Sequence, residues 1–313
     1  MNIDPSLSDE IISGLKKNPK QLPPKLFYDE KGSKLFEQIS ELDEYYPTRT
    51  ELKIMEDNIE EIVSALGEKI LLVEFGSGSS LKTRLLLDHL KNLSGYVPID
   101  ISSDHLIQSA EKLKKEYPYI KIYPLAADFT LPFQLPAVDH DFNNICAYYP
   151  GSSIGNLTPE KAKLLLKRIS DLAGSDGSLL IGIDLIKDKR ILEAAYNDSK
   201  GITAEFNLNI LNNLNKFFNA DFQVRNFRHY AFYNEEECRI EMHLVSKDDQ
   251  IVKINGNEIQ FSKDEHIVTE YSYKYSVESF IKICSDYFSL RKCWTDSNNY
   301  FAVIYAYVIN SSV

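Results

Sequence analysis

Two stretches of this chain carry residue types and spacings suited to chemistry. The first is Leu71-Leu72-Val73-Glu74-Phe75-Gly76-Ser77-Gly78-Ser79-Ser80, an apolar run that ends in an acid and then a Gly-Ser-Gly-Ser-Ser turn. Leu81 to Leu90 follows with apolar residues at helical spacing. A strand, a tight turn and a helix in that order bring backbone close to a ligand, because glycine has no Cβ, and aim the helix's free N–H groups at it. Such a turn holds either the pyrophosphate of a dinucleotide or the amino-acid and adenosyl parts of S-adenosylmethionine. The second stretch is Pro150-Gly151-Ser152-Ser153-Ile154-Gly155-Asn156-Leu157-Thr158-Pro159-Glu160, another glycine turn with a carboxamide at its exit. It puts Asn156 at the carboxyl end of a strand, where open α/β sheets bind ligands.

Two acids extend the first stretch. Asp100 lies 22 residues beyond Gly78, at the end of the next expected strand. A carboxylate there can accept both ribose hydroxyl protons of an adenosyl group, or it can cap the following helix together with Ser102 and Ser103. Asp128-Phe129 closes a third expected strand, where an acid can bond the adenine amino group and an aromatic can cover the ring.

The elements that must position these residues read as an α/β fold. Strands are expected over residues 69–75, 94–100, 120–125, 143–149 and 178–185, with helices over 50–66, 81–90, 103–117 and 159–172. Thr158 caps the last of these helices and Pro159 suits its first turn. Ahead of them come a short capped helix over 8–17, an extended passage forced by Pro19, Pro23 and Pro24, and an amphipathic cover rich in tyrosine over 25–51. The rhythm changes after Leu185. Residues 191–218 read as a long helical part, followed by strands over 221–224, 228–233 and 239–245 and a hairpin of 251–254 with 258–261 about Asn255-Gly256-Asn257. A helix over 276–288 and strands over 290–295 and 300–308 then complete the main sheet. The expected division is a main domain of residues 1–186 and 275–313 with an inserted α+β domain of residues 187–274.

Composition narrows the class. The 313 residues carry a formal net charge of −11, which argues against a binder of nucleic-acid backbone. No apolar run reaches the roughly 20 residues of a membrane span, and the N-terminus lacks the basic and apolar segments of a signal peptide. Cys146, Cys238, Cys284 and Cys293 form no CxxC pair, so neither a metal site nor a disulfide framework is expected. The expectation is a cytoplasmic monomer acting on a small molecule, with no nucleic-acid or membrane partner.

The glycine turn departs from the dinucleotide fingerprint at its third glycine, where this chain has Leu81. With acids after strands two and three and an antiparallel pair at the C-terminal end, it resembles the class I S-adenosylmethionine-dependent methyltransferases. The resemblance extends further. Phe27-Tyr28-Asp29-Glu30-Lys31-Gly32-Ser33, Glu44-Tyr45-Tyr46-Pro47-Thr48-Arg49, Gly76-Ser77-Gly78-Ser79-Ser80-Leu81-Lys82-Thr83-Arg84, Gly151-Ser152-Ser153-Ile154-Gly155-Asn156-Leu157 and Arg239-Ile240-Glu241-Met242 together resemble the histidine Nα-methyltransferase family of ergothioneine biosynthesis, in the same order from about residue 20 to 313.

That resemblance implies a class I Rossmann-like sheet with an inserted substrate-binding domain, and trimethylation of the α-amino group of L-histidine to hercynine with S-adenosylmethionine as methyl donor. It assigns Gly76, Ser77, Gly78, Ser79, Lys82, Asp100, Asp128, Phe129, Gly151 and Ser152 to the donor. Glu270 and Ser272 are implied to bond the imidazole, Met242 to line the ring pocket, and Tyr45 and Thr203 to form its outer wall. Asn156 and Tyr196 are implied on the carboxylate and amine, with Tyr28 beside the reacting nitrogen; Tyr28 and Asn156 are the expected catalytic pair. The chemistry agrees with the pattern: a carboxylate accepts one ring N–H while a hydroxyl serves the other nitrogen, a pairing an indole cannot use fully. Relatives acting on a prenylated tryptophan keep another amino-acid acceptor open, and a non-catalytic nucleotide-binding module is a further alternative.

Overall fold

The apolar runs that read as strands form one seven-stranded sheet in the order Phe288–Thr295, Phe301–Val308, Ser178–Asp184, Asn144–Tyr149, Ile70–Phe75, Gly95–Asp100, Leu125–Ala126. This is a computed structural model, and residues 5–78, 81–139 and 141–309 are described. The strands from Ser178–Asp184 to Leu125–Ala126 are parallel, and Phe301–Val308 runs antiparallel to both its neighbours. Every residue of Ile70–Phe75 and of Ser178–Asp184 is buried, as expected for parallel strands covered on both faces. Ile62 and Leu66, Leu86 and Leu87, and Ala110 and Leu113, from three helices, join Leu72, Tyr96, Tyr148 and Leu180 of the sheet in one core. Ile70–Phe75 pairs with Gly95–Asp100 on one side and Asn144–Tyr149 on the other. The strand order therefore reverses between Ile70–Phe75 and Asn144–Tyr149, and both glycine turns leave the carboxyl ends at that switch point, the ligand position of such sheets.

The chain divides into two compact units: Pro47–Ile186 with Lys274–Val313, which holds this sheet, and Met1–Tyr46 with Lys187–Tyr273. The second unit has a four-stranded sheet ordered Lys20–Gln21, His266–Tyr273, Arg239–Ser246, Phe227–Asn234. The N-terminal residues, expected in the main domain, group with the insert because Lys20 and Gln21 pair in parallel with Ile267 and Val268. The tyrosine-rich cover contains a helix, Glu30–Ser40, capped by Asp29, which accepts the Gly32 N–H at 2.8 Å. It packs against the helix Ile202–Phe217, and a Cβ on Gly32 would lie 1.7 Å from the Phe27 carbonyl oxygen, so only glycine fits that contact. The hairpin forms as Gln250–Ile254 with Asn257–Phe261, and its Asn255 and Gly256 both have positive φ, at 45° and 77°.

Other boundaries shift for physical reasons. The third strand expected over 120–125 is reduced to Leu125–Ala126 and a single bridge from Ile122 to Tyr96, because Pro124 has no N–H to donate to the ladder. The helix expected over 50–66 is two helices, Tyr46–Asp57 and Ile59–Leu66, broken where the Asn58 side chain donates to the Ile54 carbonyl. The long helical part is likewise two, Lys189–Ala194 and Ile202–Phe217. Between them Gly201 turns left-handed, and Asp198 accepts the N–H groups of Ile202 and Thr203 at 2.9 and 2.7 Å. The strand expected over 221–224 is instead a short 3-10 turn, Val224–Asn226, and Asp221 exchanges bonds with the backbone of Lys253. The helix expected over 276–288 starts at Val277 and ends at Cys284; residues 285–287 form a turn and Phe288 begins the strand Phe288–Thr295.

Candidate active site

In the parallel-sheet unit the first glycine turn is bonded onto the next strand. The Gly76 and Ser77 N–H groups both donate to the Ile99 carbonyl, at 2.9 and 3.2 Å. Gly76 has φ +74°, which disfavours any side chain. Among the described residues, the nearest atom to a Cβ built on Gly78 is the Gly76 oxygen at 4.0 Å. Ser79 and Ser80 lie outside the described residues. Asp100 is bonded by the Gly78 N–H and, at 2.9 Å, by the Ser102 N–H. Burial raises its pKa, against the lowering effect of those bonds. The helix Ser103–Glu116 has Ser102 at its N-cap without a side-chain cap bond, so the Asp100 carboxylate ties the glycine turn to the residue just ahead of that helix.

Phe129 lies over Gly76, its ring edge 3.9 Å from where a Cβ would stand. It makes edge contacts with Phe75 and Tyr149 at centroid distances of 5.8 and 5.7 Å. Asp128 accepts from the N–H and hydroxyl of Thr130 at 3.0 and 2.5 Å. In the second turn Gly151 has φ +77° and Ser152 sits in the left-handed region at φ 57°, with the Ser152 hydroxyl accepting the Asp184 N–H at 2.8 Å. Asn156 ends the short 3-10 turn Ser153–Asn156. Lys82 points to Glu51, with which it forms an ion pair.

A left-handed glycine in a tight turn, an acid at the end of the adjoining strand and a flanking aromatic fit a bound adenosyl group with an amino-acid tail. The turn itself is held from beneath by Glu74, which accepts from the Thr83 and Tyr96 hydroxyls. Complete burial pushes the Glu74 pKa up to about 7, against the two hydroxyl bonds. Sequence reasoning gave neither Glu51 nor Glu74 a role.

The second unit holds a separate polar and aromatic cluster. Tyr28 follows the 3-10 turn Pro24–Phe27. Two asparagines of the helix Ile202–Phe217 fix its neighbours: Asn213 donates to the Leu26 carbonyl and Asn209 to Asp29, each at 2.9 Å. Tyr28, Phe36, Tyr45 and Tyr196 follow one another in edge contacts at 6.0, 6.1 and 6.3 Å between centroids. The Tyr196 hydroxyl donates to the Ser272 hydroxyl oxygen at 2.8 Å. The expected Tyr28, Tyr45, Tyr196 and Ser272 are therefore brought together.

Ser272 and Glu270 stand on the strand His266–Tyr273, which the sequence did not announce. Its register against Arg239–Ser246 slips between Val268 and Glu270, leaving Thr269 as the extra residue of a bulge and Glu270 opposite Met242. The bulge is pinned from the helix: the Thr269 hydroxyl lies 2.7 Å from Asn207 Oδ1 and 3.0 Å from the Met242 carbonyl oxygen. Asn207 Nδ2 in turn lies 2.8 Å from His229 Nδ1, and the opposite ring nitrogen of His229 bonds the Tyr196 carbonyl at 2.9 Å. Burial lowers the His229 pKa, against the raising effect of the bond to the Tyr196 carbonyl. Glu270, Ser272 and Met242 are 8%, 5% and 2% exposed, so a ring held among them would be largely screened from water. Thr203 is buried at the start of the helix Ile202–Phe217, where its N–H is capped by Asp198. Asn156 belongs to the other unit, with Gly151 and Ser152.

Residues 7–308 match a protein family described as histidine-specific, S-adenosylmethionine-dependent methyltransferases. The chain is 39% identical over 298 residues to a histidine N-alpha-methyltransferase of Mycolicibacterium smegmatis, covering 93% of this chain and 91% of that protein. It is 40% identical over 275 residues to the protein of the same name from Mycobacterium tuberculosis, covering 86% and 84% of the two. Ergothioneine biosynthesis protein 1 of Neurospora crassa is 32% identical over 283 residues, 84% of this chain and 32% of that longer protein.

Proposed function

Because the chain belongs to the S-adenosylmethionine-dependent, histidine-specific methyltransferase family, we propose that it methylates the α-amino nitrogen of L-histidine to hercynine, for ergothioneine biosynthesis. S-adenosylmethionine, when bound, supplies an electrophilic methyl carbon on a sulfonium. In the parallel-sheet unit, Gly76, Ser77, Gly78, Ser79, Asp100, Asp128, Phe129, Gly151 and Ser152 are assigned to binding this donor, with Lys82 beside them. In the second unit, Glu270 and Ser272 receive the imidazole, Met242, Tyr45 and Thr203 wall it, and Tyr196 serves the amino-acid end with Asn156.

The observation that carries this reading is the bulged strand that sets Glu270 opposite Met242 and leaves Ser272 bonded to Tyr196. Imidazole has two nitrogens at opposite sides of a small ring. A carboxylate accepts from the protonated one, and a serine hydroxyl, which can donate or accept, serves the other. The selectivity of such a pair is large because an acceptor lacking either group leaves a buried polar atom without its bond.

The reacting amine must be neutral and its lone pair must face the methyl carbon opposite sulfur, so alignment supplies much of the acceleration. A free α-amino group is mostly protonated at neutral pH. Tyr28 and Asn156 are assigned to orient the nitrogen, with the proton leaving to Tyr28 or to water. The net charge of −11 supports a small-molecule substrate over nucleic acid. Among the described residues no helix is long and apolar enough to cross a membrane. A cytoplasmic monomer without nucleic-acid or membrane partners belongs to the same proposal.

The test is incubation with S-adenosylmethionine and each of the twenty amino acids, followed by mass spectrometry. Gain of one, two and three methyl groups on histidine alone is expected. Methylation of tryptophan in place of histidine would overturn the assignment of Glu270 and Ser272.

A further inference from the structure

We propose that Glu51 is a positioning residue for the methyl donor: its buried carboxylate locks the second glycine turn to Lys82, and donor affinity depends on that lock. The inference rests on the reading of the parallel-sheet unit as the donor-binding unit. Glu51 lies in the helix Tyr46–Asp57 and is 1% exposed. Its carboxylate accepts the Gly151 N–H with both oxygens, at 3.1 and 2.9 Å, and pairs with Lys82, whose side chain is 12% exposed. These partners lie 100 and 31 residues away in sequence, one in each glycine-turn motif.

A carboxylate this buried is costly unless it is paired and hydrogen-bonded, so the site must be built to receive it. The building is visible in the neighbouring strand. Gly182 sits in the middle of Ser178–Asp184, a fully buried strand of the parallel sheet, where glycine normally weakens the strand. A Cβ on Gly182 would stand 2.2 Å from Glu51 Oε1 and 2.9 Å from both its Cδ and the Phe301 ring. The missing side chain of Gly182 is thus the room that the Glu51 carboxylate occupies.

The arrangement has two consequences for binding. First, a cation placed near a sulfonium repels it, whereas Lys82 paired with Glu51 presents N–H donors with its charge compensated. The Lys82 ammonium stands 3.7 Å from where a Cβ of Gly151 would be, so it lies on the turn itself. Second, Gly151 and Ser152 are consecutive left-handed residues, a conformation that needs an external hold, and the Gly151 N–H is fixed by Glu51 while the Ser152 hydroxyl takes the Asp184 N–H. The turn so held leads directly into Ser153–Asn156.

The experiment uses the full chain and three variants, Glu51→Gln, Lys82→Met and their double, with S-adenosylmethionine affinity measured by calorimetry and KM and kcat by histidine methylation. Glu51→Gln keeps the size and one carbonyl acceptor for Gly151 but withdraws the charge from Lys82. The expected result is a loss of about tenfold or more in donor affinity and KM, a smaller change in KM for histidine, and a double variant no worse than the worse single one. Wild-type donor affinity in a folded Glu51→Gln protein, or additive losses in the double variant, would overturn the proposal; so would a fall in melting temperature alone. If Glu51→Gln does not fold, Gly182→Ala decides. It keeps every charge but pushes the carboxylate aside, and it must weaken donor binding by a similar factor; unchanged donor affinity overturns the proposal. Failure of the wild-type protein to methylate histidine would count against the functional reading alone, because calorimetry with the donor still reports on Glu51.

Discussion

The Tyr196 hydroxyl donates to the Ser272 hydroxyl oxygen at 2.8 Å, and both side chains are buried, at 7% and 5% exposure. The bond ties the two hydroxyls into one unit, so a change at either residue reaches the other. Ser272→Ala and Tyr196→Phe should therefore each raise the KM for histidine, by roughly tenfold. Because one bond is shared, the double variant should be far less impaired than the product of the two losses. Multiplicative losses in steady-state kinetics would show that the two hydroxyls act separately.

Glu270→Gln preserves shape and removes the negative charge opposite Met242. A charge-assisted bond of this kind contributes about 1.5–3 kcal/mol, so kcat/KM for histidine should fall by about ten- to a hundredfold while donor affinity stays at its wild-type value. Calorimetry with S-adenosylmethionine alone separates the two. A parallel loss of donor affinity would contradict the assignment of Glu270 to the acceptor.

Thr269→Val keeps the volume of the bulge residue and deletes the hydroxyl shared between Asn207 and the Met242 carbonyl. The buried Asn207 oxygen then loses that donor, at a cost of about 1–3 kcal/mol. Chemical denaturation should register that loss, and histidine KM should rise because the bulge that sets Glu270 opposite Met242 is no longer pinned. A variant with reduced stability and unchanged KM would show that the bulge holds its shape without Asn207.

Glu74 gives a pH signature. Its pKa stands at about 7 in the folded protein against an ordinary value of 4.5, because it is fully buried. Between these values the folded chain keeps a proton that the unfolded chain releases, so this contribution is fully present below pH 4.5 and is lost as pH rises to about 7. The magnitude is on the order of 3 kcal/mol. Glu74→Gln has no proton to release, so the difference in stability between wild type and variant should change across that window and be flat above it. A difference independent of pH from 4 to 8, measured by urea titration at about unit intervals, would contradict the raised pKa.

The sequence made one half of the molecule legible and left much of the other half dark. Ile70–Phe75, Gly95–Asp100, Asn144–Tyr149 and Ser178–Asp184 were readable because parallel strands are apolar throughout and are punctuated by Gly76, Gly151 and the acids that follow them. Pro124 was also in plain view and should have shortened the third strand, as Asp198 and Gly201 should have broken the long helix. The bulged strand was harder, because Thr269 disrupts the alternation that announces a strand and its partners lie on distant segments. Lys20–Gln21 is a strand only through its pairing with Ile267 and Val268. Glu51 reads locally as a solvent-facing helix acid; what buries it is a glycine at position 182, a relationship no local pattern contains. Glu270 and Ser272, proposed for the acceptor, are reached through family resemblance, and spacing alone reads Glu270 as a solvated strand residue.

The pairing of Lys20 with Ile267 also sets a schedule for biosynthesis. At about 5–20 residues per second, the first strand leaves the ribosome roughly ten to fifty seconds before the strand it must join. The parallel sheet waits as well, since Phe301–Val308 is the strand that slots between Ser178–Asp184 and Phe288–Thr295. Until it arrives, Ser178–Asp184 is an uncovered apolar edge of the kind that recruits foreign strands. The unit that holds Lys20–Gln21 can thus close once Tyr273 has emerged, whereas the parallel-sheet unit waits for Phe301–Val308, so a chain terminated between them has the first complete and leaves the Ser178–Asp184 edge of the second uncovered.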